Sequence, residues 1–194
     1  MISLLYGLLA VVQAGLAVRL AAQKLALPAI VAVGVSADSA IVGVGSLLGV
    51  GEPLETLTLA RFAAHAVLTP LLIVYAAGGT RLVPGAWLLA AALIVPGTVA
   101  LWGLRFEPRR WAGTLRYVDA ESGPPVAALI TTVALLVAGI FAWVRHRRPW
   151  LLLGGVTLLV ASAAAVAVPI LGNAGEAVLL AAISVPGPPD AASR

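Results

Sequence analysis

Runs of roughly 20 apolar residues, each closed by a charge, a proline or a glycine, recur along almost the whole chain. They fall at 2–22, 28–50, 57–78, 85–104, 125–144, 149–168 and 171–186. A helix needs about 20 such residues to cross a hydrocarbon core about 30 Å thick. The pattern therefore predicts an all-α fold, a polytopic transmembrane helix bundle of seven spans. The last run is short and interrupted by Asn173 and Glu176, so six spans plus a re-entrant hairpin is the competing count. The first run has neither a basic n-region nor a small-x-small cleavage site and reads as an anchor. Residues 1–186 are expected to form a single transmembrane helical domain. The Pro-rich residues 187–194 are expected to be a disordered tail. The only long connection, 106–124, reads as a solvated loop held by local ion pairs. Its Trp111 and Tyr117 would also suit a segment lying on lipid headgroups.

Composition sharpens this picture. Of 194 residues, 61% are hydrophobic and 10% charged, and the mean hydropathy is +1.07. A soluble domain carries about 25% charged residues, and the connecting loops leave no room for a separate soluble catalytic domain. The lipid bilayer is thus the expected partner, and the cell membrane the expected location. The absence of cysteine excludes disulfides and thiolate-ligated metal centres. A sequence pI near 10.3 does not indicate nucleic acid, because the basic residues sit in short loops between apolar spans.

The basic residues instead set orientation. With the N-terminus outside, Arg19, Lys24, Arg81, Arg145, Arg147, Arg148 and Arg194 lie inside, and only Arg105, Arg109, Arg110 and Arg116 lie outside. The positive-inside rule then favours an external N-terminus and a cytoplasmic C-terminus.

Ionisable groups at membrane depth are costly and mark function or helix register. The chain has Asp38, Arg61, His65 and Glu176 at such positions, with the amides Gln13 and Asn173. Thr58, Arg61, His65 and Thr69 follow i, i+3, i+7, i+11 and share one helix face. Depths counted from the predicted span ends pair Arg61 with Glu176, and Asp38 with His65 one turn deeper. Such a cluster suits a polar pocket or ion pathway. One histidine and two acids without HxxxH or ExxH spacing make no metal site. Gly-rich phosphate loops and a GxSxG nucleophile are absent as well. Pro70 and Pro96-Gly97 fall inside spans and are expected to act as packing kinks. In the second span, Ser36, Ser39, Gly43 and Ser46 form a small-residue face fit for a partner helix.

The third span reads Ala60-Arg61-Phe62-Ala63-Ala64-His65-Ala66-Val67-Leu68-Thr69-Pro70-Leu71-Leu72. It resembles the third helix of microbial rhodopsins, where Arg-aromatic-x-Asp-Trp precedes Thr-Thr-Pro-Leu-Leu. The resemblance implies a seven-helix outline, with Arg61 in the place of the arginine that gates outward proton release. The chain departs from that family at the chromophore: Ala64 replaces the Schiff-base counterion, and the last span has no lysine. No retinal, and no other cofactor, is therefore expected.

Three function classes remain open on these residues. One is a small transporter, or a proton- or ion-translocating protein, built on Asp38, Arg61, His65, Glu176, Asn173, Gln13 and Thr69, with a small molecule or a proton as substrate. A second is a structural or assembly subunit that docks a helix through the second span. The third is an intramembrane enzyme acting on a lipid or isoprenoid.

Overall fold

The computed structural model describes residues 1–121, 123 and 125–186, so the expected tail, 187–194, lies outside the described residues. The helices are α1 (Ile2–Ala22), α2 (Ala26–Leu48), α3 (Glu52–Ala76), α4 (Val83–Ala100, continued by a 3-10 turn at Leu101–Gly103), α5 (Val126–His146), α6 (Trp150–Ala164) and α7 (Ile170–Ile183). Their ends follow local chemistry. Helix α3 opens with Pro53 in its first turn, flanked by Glu52 and Glu55, which suit the exposed N–H groups there. Helix α5 closes with Arg145 and His146 beside its terminal carbonyls, and Arg147 ends it at φ 55°.

Five helices, α1 to α5, are long and apolar enough to cross a membrane. The remaining two have 15 and 14 residues. At 1.5 Å per residue they reach only about 21–22 Å, short of a hydrocarbon core of about 30 Å. The turn between them, 165–169, is apolar, and its Val166 is 91% exposed. The helical bundle expected from the sequence is present, with seven helices of which five are long enough to span a membrane and two form a short hairpin.

Helix α2 is central, packing on α1, α3 and α7. Helix α3 carries α4 and α5, α5 contacts α6, α6 pairs with α7, and α7 returns to α1. The main core draws Leu20, Ala32, Leu72, Leu135 and Leu180 from five helices. Outside it, Leu4, Leu88, Val137 and Val160 are among many large apolar side chains left exposed. Apolar surface on this scale is compatible with an integral membrane protein. Small residues set the close approaches. A Cβ added to Gly175 would sit 2.6 Å from the Ala161 methyl across the α6–α7 contact. Gly97 of α4 likewise rests on Ala66 of α3, four residues before Pro70, so the two proline-bearing stretches meet as packing partners.

The segment expected to be a solvated loop is a β-hairpin. Strands β1 (Phe106–Trp111) and β2 (Thr114–Asp119) pair antiparallel, from Phe106 opposite Asp119 to Trp111 opposite Thr114. Ala112 and Gly113 make the two-residue turn with φ of 47° and 85°, as a hairpin twist requires. Alternation does the rest: Leu115 and Tyr117 are buried against Leu54, Ile41 and Phe106. The Gly51 N–H donates to the Tyr117 hydroxyl at 3.1 Å. The hairpin seats so closely on α2 that a Cβ at Gly45 would fall 2.0 Å from the Leu115 carbonyl oxygen. Mixed charges at Glu107, Arg109, Arg110 and Arg116 masked this short alternation in the sequence.

Candidate functional site

The polar residues gather where α2, α3 and α7 meet. Asp38 lies ten residues from the α2 end at Leu48, and Arg61 nine from the α3 start at Glu52. Both therefore sit about 14–15 Å from the hairpin end of the bundle. Asp38, 4% exposed, is the hub. Arg61 Nε donates to its Oδ1 at 2.6 Å, and His65 Nε2 stands 3.4 Å from the same oxygen. Asn173 Nδ2, from α7, donates to Asp38 Oδ2 at 2.5 Å and contacts Ser39 Oγ at 3.0 Å. Gln13, fully buried on α1, donates through Nε2 to the Asn173 carbonyl at 3.0 Å. Four helices thus contribute to one hydrogen-bonded group.

The pairing differs from the one expected. Arg61 bonds Asp38 and not Glu176, while His65 keeps its predicted contact with Asp38 as a longer second partner. The cause is helix length. Helix α3 begins at Glu52, about five residues before the predicted span, which moves Arg61 about 7 Å deeper, to the level of Asp38. Helix α7 is short, so its polar residues also lie deeper than a full span would place them.

Glu176 lies three residues beyond Asn173 on α7, one turn closer to the basic Arg145–Arg148 end. It forms no ion pair within 4.0 Å among the described residues. Thr69, one turn past His65, lines a narrow cleft with it between α2 and α3, together with Val31, Gly34, Val35 and Leu68. The cleft has room for about one water. The His65 side chain is 41% accessible, against 5% for Asp38 and 14% for Arg61. Of these three side chains the imidazole is the most accessible.

Two residues that the sequence did not nominate join the site. Ser39 accepts from Asn173, and its place beside Asp38 on α2 was the available signal. Arg116 approaches from the hairpin, where burial lowers its pKa and the Tyr6 hydroxyl and Asp38 counter that effect. Strand β2 had to be recognised before Arg116 could be placed there.

In chemical terms, the Asp38 carboxylate is saturated by fixed donors, whereas an imidazole can take or give a proton near neutral pH. Gln13 Oε1 and Thr58 Oγ1 are buried without a hydrogen-bond partner among the described residues. Each can hold a water, as buried polar atoms generally do. No group of three or more His, Cys, Asp or Glu able to hold a metal occurs among the described residues. Comparison with protein-family models, curated proteins and solved structures found no match for this chain.

Proposed function

We propose that this chain is a multi-pass protein of the cell membrane that moves a proton or another small ion through the Asp38 cluster. The supporting observation is the accessible His65 imidazole, 3.4 Å from a carboxylate already neutralised by Arg61. A pair that only fixed helix register would need Asp38 and Arg61 alone. A titratable third member at membrane depth is the usual mark of a proton or ion path. The likeness of α3 to the microbial rhodopsin third helix, with Arg61 in the outward-gating place, supports the same reading without a chromophore.

In this reading the N-terminus and the β-hairpin face the outside, and the Arg145–Arg148 turn faces the cytoplasm. The α6–α7 pair enters and leaves on the cytoplasmic side whether or not its tip reaches the far interface. This fits the bonds that Arg19 Nη2 and Gln23 Nε2, at the basic end of α1, donate to the Ser184 carbonyl just past α7.

A second reading, an assembly subunit, has its own observation: an apolar groove between α1 and α2 lined by Leu4, Leu8, Val11, Val44 and Leu47. Within the chain, much of the small-residue face of α2 is already taken. The Ser36 hydroxyl bonds the Ala10 carbonyl, and Gly43 lies against the Ser3–Gly7 backbone. A lipid-modifying enzyme using Asp38 and His65 is the least supported class, because both lie far from any headgroup.

A deletion strain tests the reading in cells. Wild-type protein should restore its phenotype, and His65→Leu, present in the membrane at equal amount, should not. Full restoration by His65→Leu would remove the imidazole from the function.

A further inference from the structure

The register of the β-hairpin sets Arg109 of β1 directly opposite Arg116 of β2. Directly opposed side chains share one face, with Cβ atoms about 4.5–5.5 Å apart, and like charges at such positions destabilise the pair. The rest of that face is Trp111 opposite Thr114 and Glu107 opposite Val118. Glu107 is its single acid, set diagonally from Arg116, and the two form no ion pair. Among the described residues no carboxylate stands within 4.0 Å of the Arg109 or Arg116 guanidinium, whereas Arg105, just before β1, pairs with Glu121 at 3.0 Å. Arg109 is exposed, but Arg116 is half-buried. Burial holds the Arg116 guanidinium below its usual range. Tyr6 and Asp38 oppose this, Arg61 and Arg109 add to it, and Asp38 is already bonded to Arg61.

A partly desolvated cation facing a second cation calls for an anion. Guanidinium groups suit phosphate best, because their planar forks of N–H donors match its oxygens bidentately. Tryptophans place this face at the headgroup layer. Trp102, in the 3-10 turn that leads into β1, is 86% exposed, and Trp111 ends the arginine face itself. We propose that Arg109 and Arg116 clamp the phosphate of a phospholipid whose headgroup carries a net negative charge. Two cations select such a headgroup over a zwitterionic one, because a choline group brings a third positive charge to the face. The bound phosphate removes the repulsion between the strands and ties the hairpin to the membrane surface. This clamp is separate from the Asp38 path and stands or falls without it.

Native mass spectrometry of the intact protein, released from nanodiscs of equal phosphatidylglycerol and phosphatidylcholine, tests the clamp. The wild type should retain phosphatidylglycerol preferentially, and Arg109→Gln and Arg116→Gln should each lower the retained ratio about five-fold. Arg81→Gln, which removes an exposed charge between α3 and α4, should leave the ratio unchanged. Melting temperatures add a readout that a merely damaged fold would not give. In phosphatidylcholine alone, Arg109→Gln should melt above the wild type, because the opposed charges no longer repel. In phosphatidylglycerol it should melt below. The free anion is tested with inorganic phosphate on lipid-free protein in detergent. Stabilisation of the wild type but not of Arg109→Gln, without any lipid preference, would transfer the clamp to free phosphate and overturn the lipid assignment. A lipid preference that survives both substitutions, a melting shift of one sign in both lipids, or no response to lipid or phosphate would overturn the clamp itself.

Discussion

Arg61 and Asp38 meet at 2.6 Å with 14% and 5% of their side chains accessible, so each depends on the other. Removing one member of a buried pair typically costs about 3–5 kcal/mol, whereas replacing both by apolar groups can be nearly neutral. Arg61→Leu and Asp38→Leu should each lower the melting temperature in detergent, and the double variant should recover much of the loss. Additive losses would show that the two charges are not coupled. Asn173→Ala, which removes a hydrogen bond to a charged group, should cost about 1.5–3 kcal/mol by the same measurement. At this scale the sequence was informative about identity and weak about partners. The polar residues stood out against an apolar background, and five of them do converge. Their pairing depended on a five-residue error in where α3 begins, which the acidic turn at Glu52-Pro53-Leu54-Glu55 concealed by looking like a loop.

Among the elements, the β-hairpin is the least expected and the most closely fitted. Gly45→Ala should push Leu115 away from α2, because the new Cβ would meet a backbone oxygen that cannot swing aside. Overpacking of this kind costs about 1–3 kcal/mol. Limited proteolysis at Arg109 or Arg110 should accelerate in this variant, and unchanged cleavage would mean that the hairpin is not seated on α2. The hairpin should also respond to alkali. Burial first, and then the Glu55 carboxylate, raise the Tyr117 phenol above its usual range. The folded state therefore holds the neutral phenol. Its contribution is complete below the ordinary tyrosine value of about 10 and is lost as pH rises through the elevated one. Proteolysis of the wild type should accelerate in that alkaline window, and in Tyr117→Phe the pH dependence should disappear. The hairpin was legible only in retrospect. Thr114-Leu115-Arg116-Tyr117 alternates as a strand should, but six residues flanked by charges offer too short a period to separate from a loop. The long helices were legible because each repeats its apolar signal over 18 residues or more.

The whole molecule combines five long helices, a short helical hairpin and one polar cluster near mid-depth. Hydropathy alone could not choose between seven spans and six spans plus a re-entrant hairpin. Run 149–168 is continuously apolar, yet residues 165–168 at its end belong to the turn 165–169 that stops α6 at Ala164. Orientation is open to direct labelling, because the chain has no cysteine of its own. Single cysteines at the exposed Glu107 and Arg148 should react with an impermeant thiol reagent in intact cells at position 107 only. Labelling of 148 alone would invert the topology.

Proton flux through the reconstituted protein is the decisive readout for the proposed path. Proteoliposomes carrying a trapped pH-sensitive dye, with a potassium-diffusion potential to draw cations inward, should acidify with wild-type protein. Protein-free vesicles and vesicles with equally well folded His65→Leu should not. Equal acidification in the wild type and His65→Leu, or none in either, would contradict the assignment of the Asp38–Arg61–His65 cluster as a path for protons.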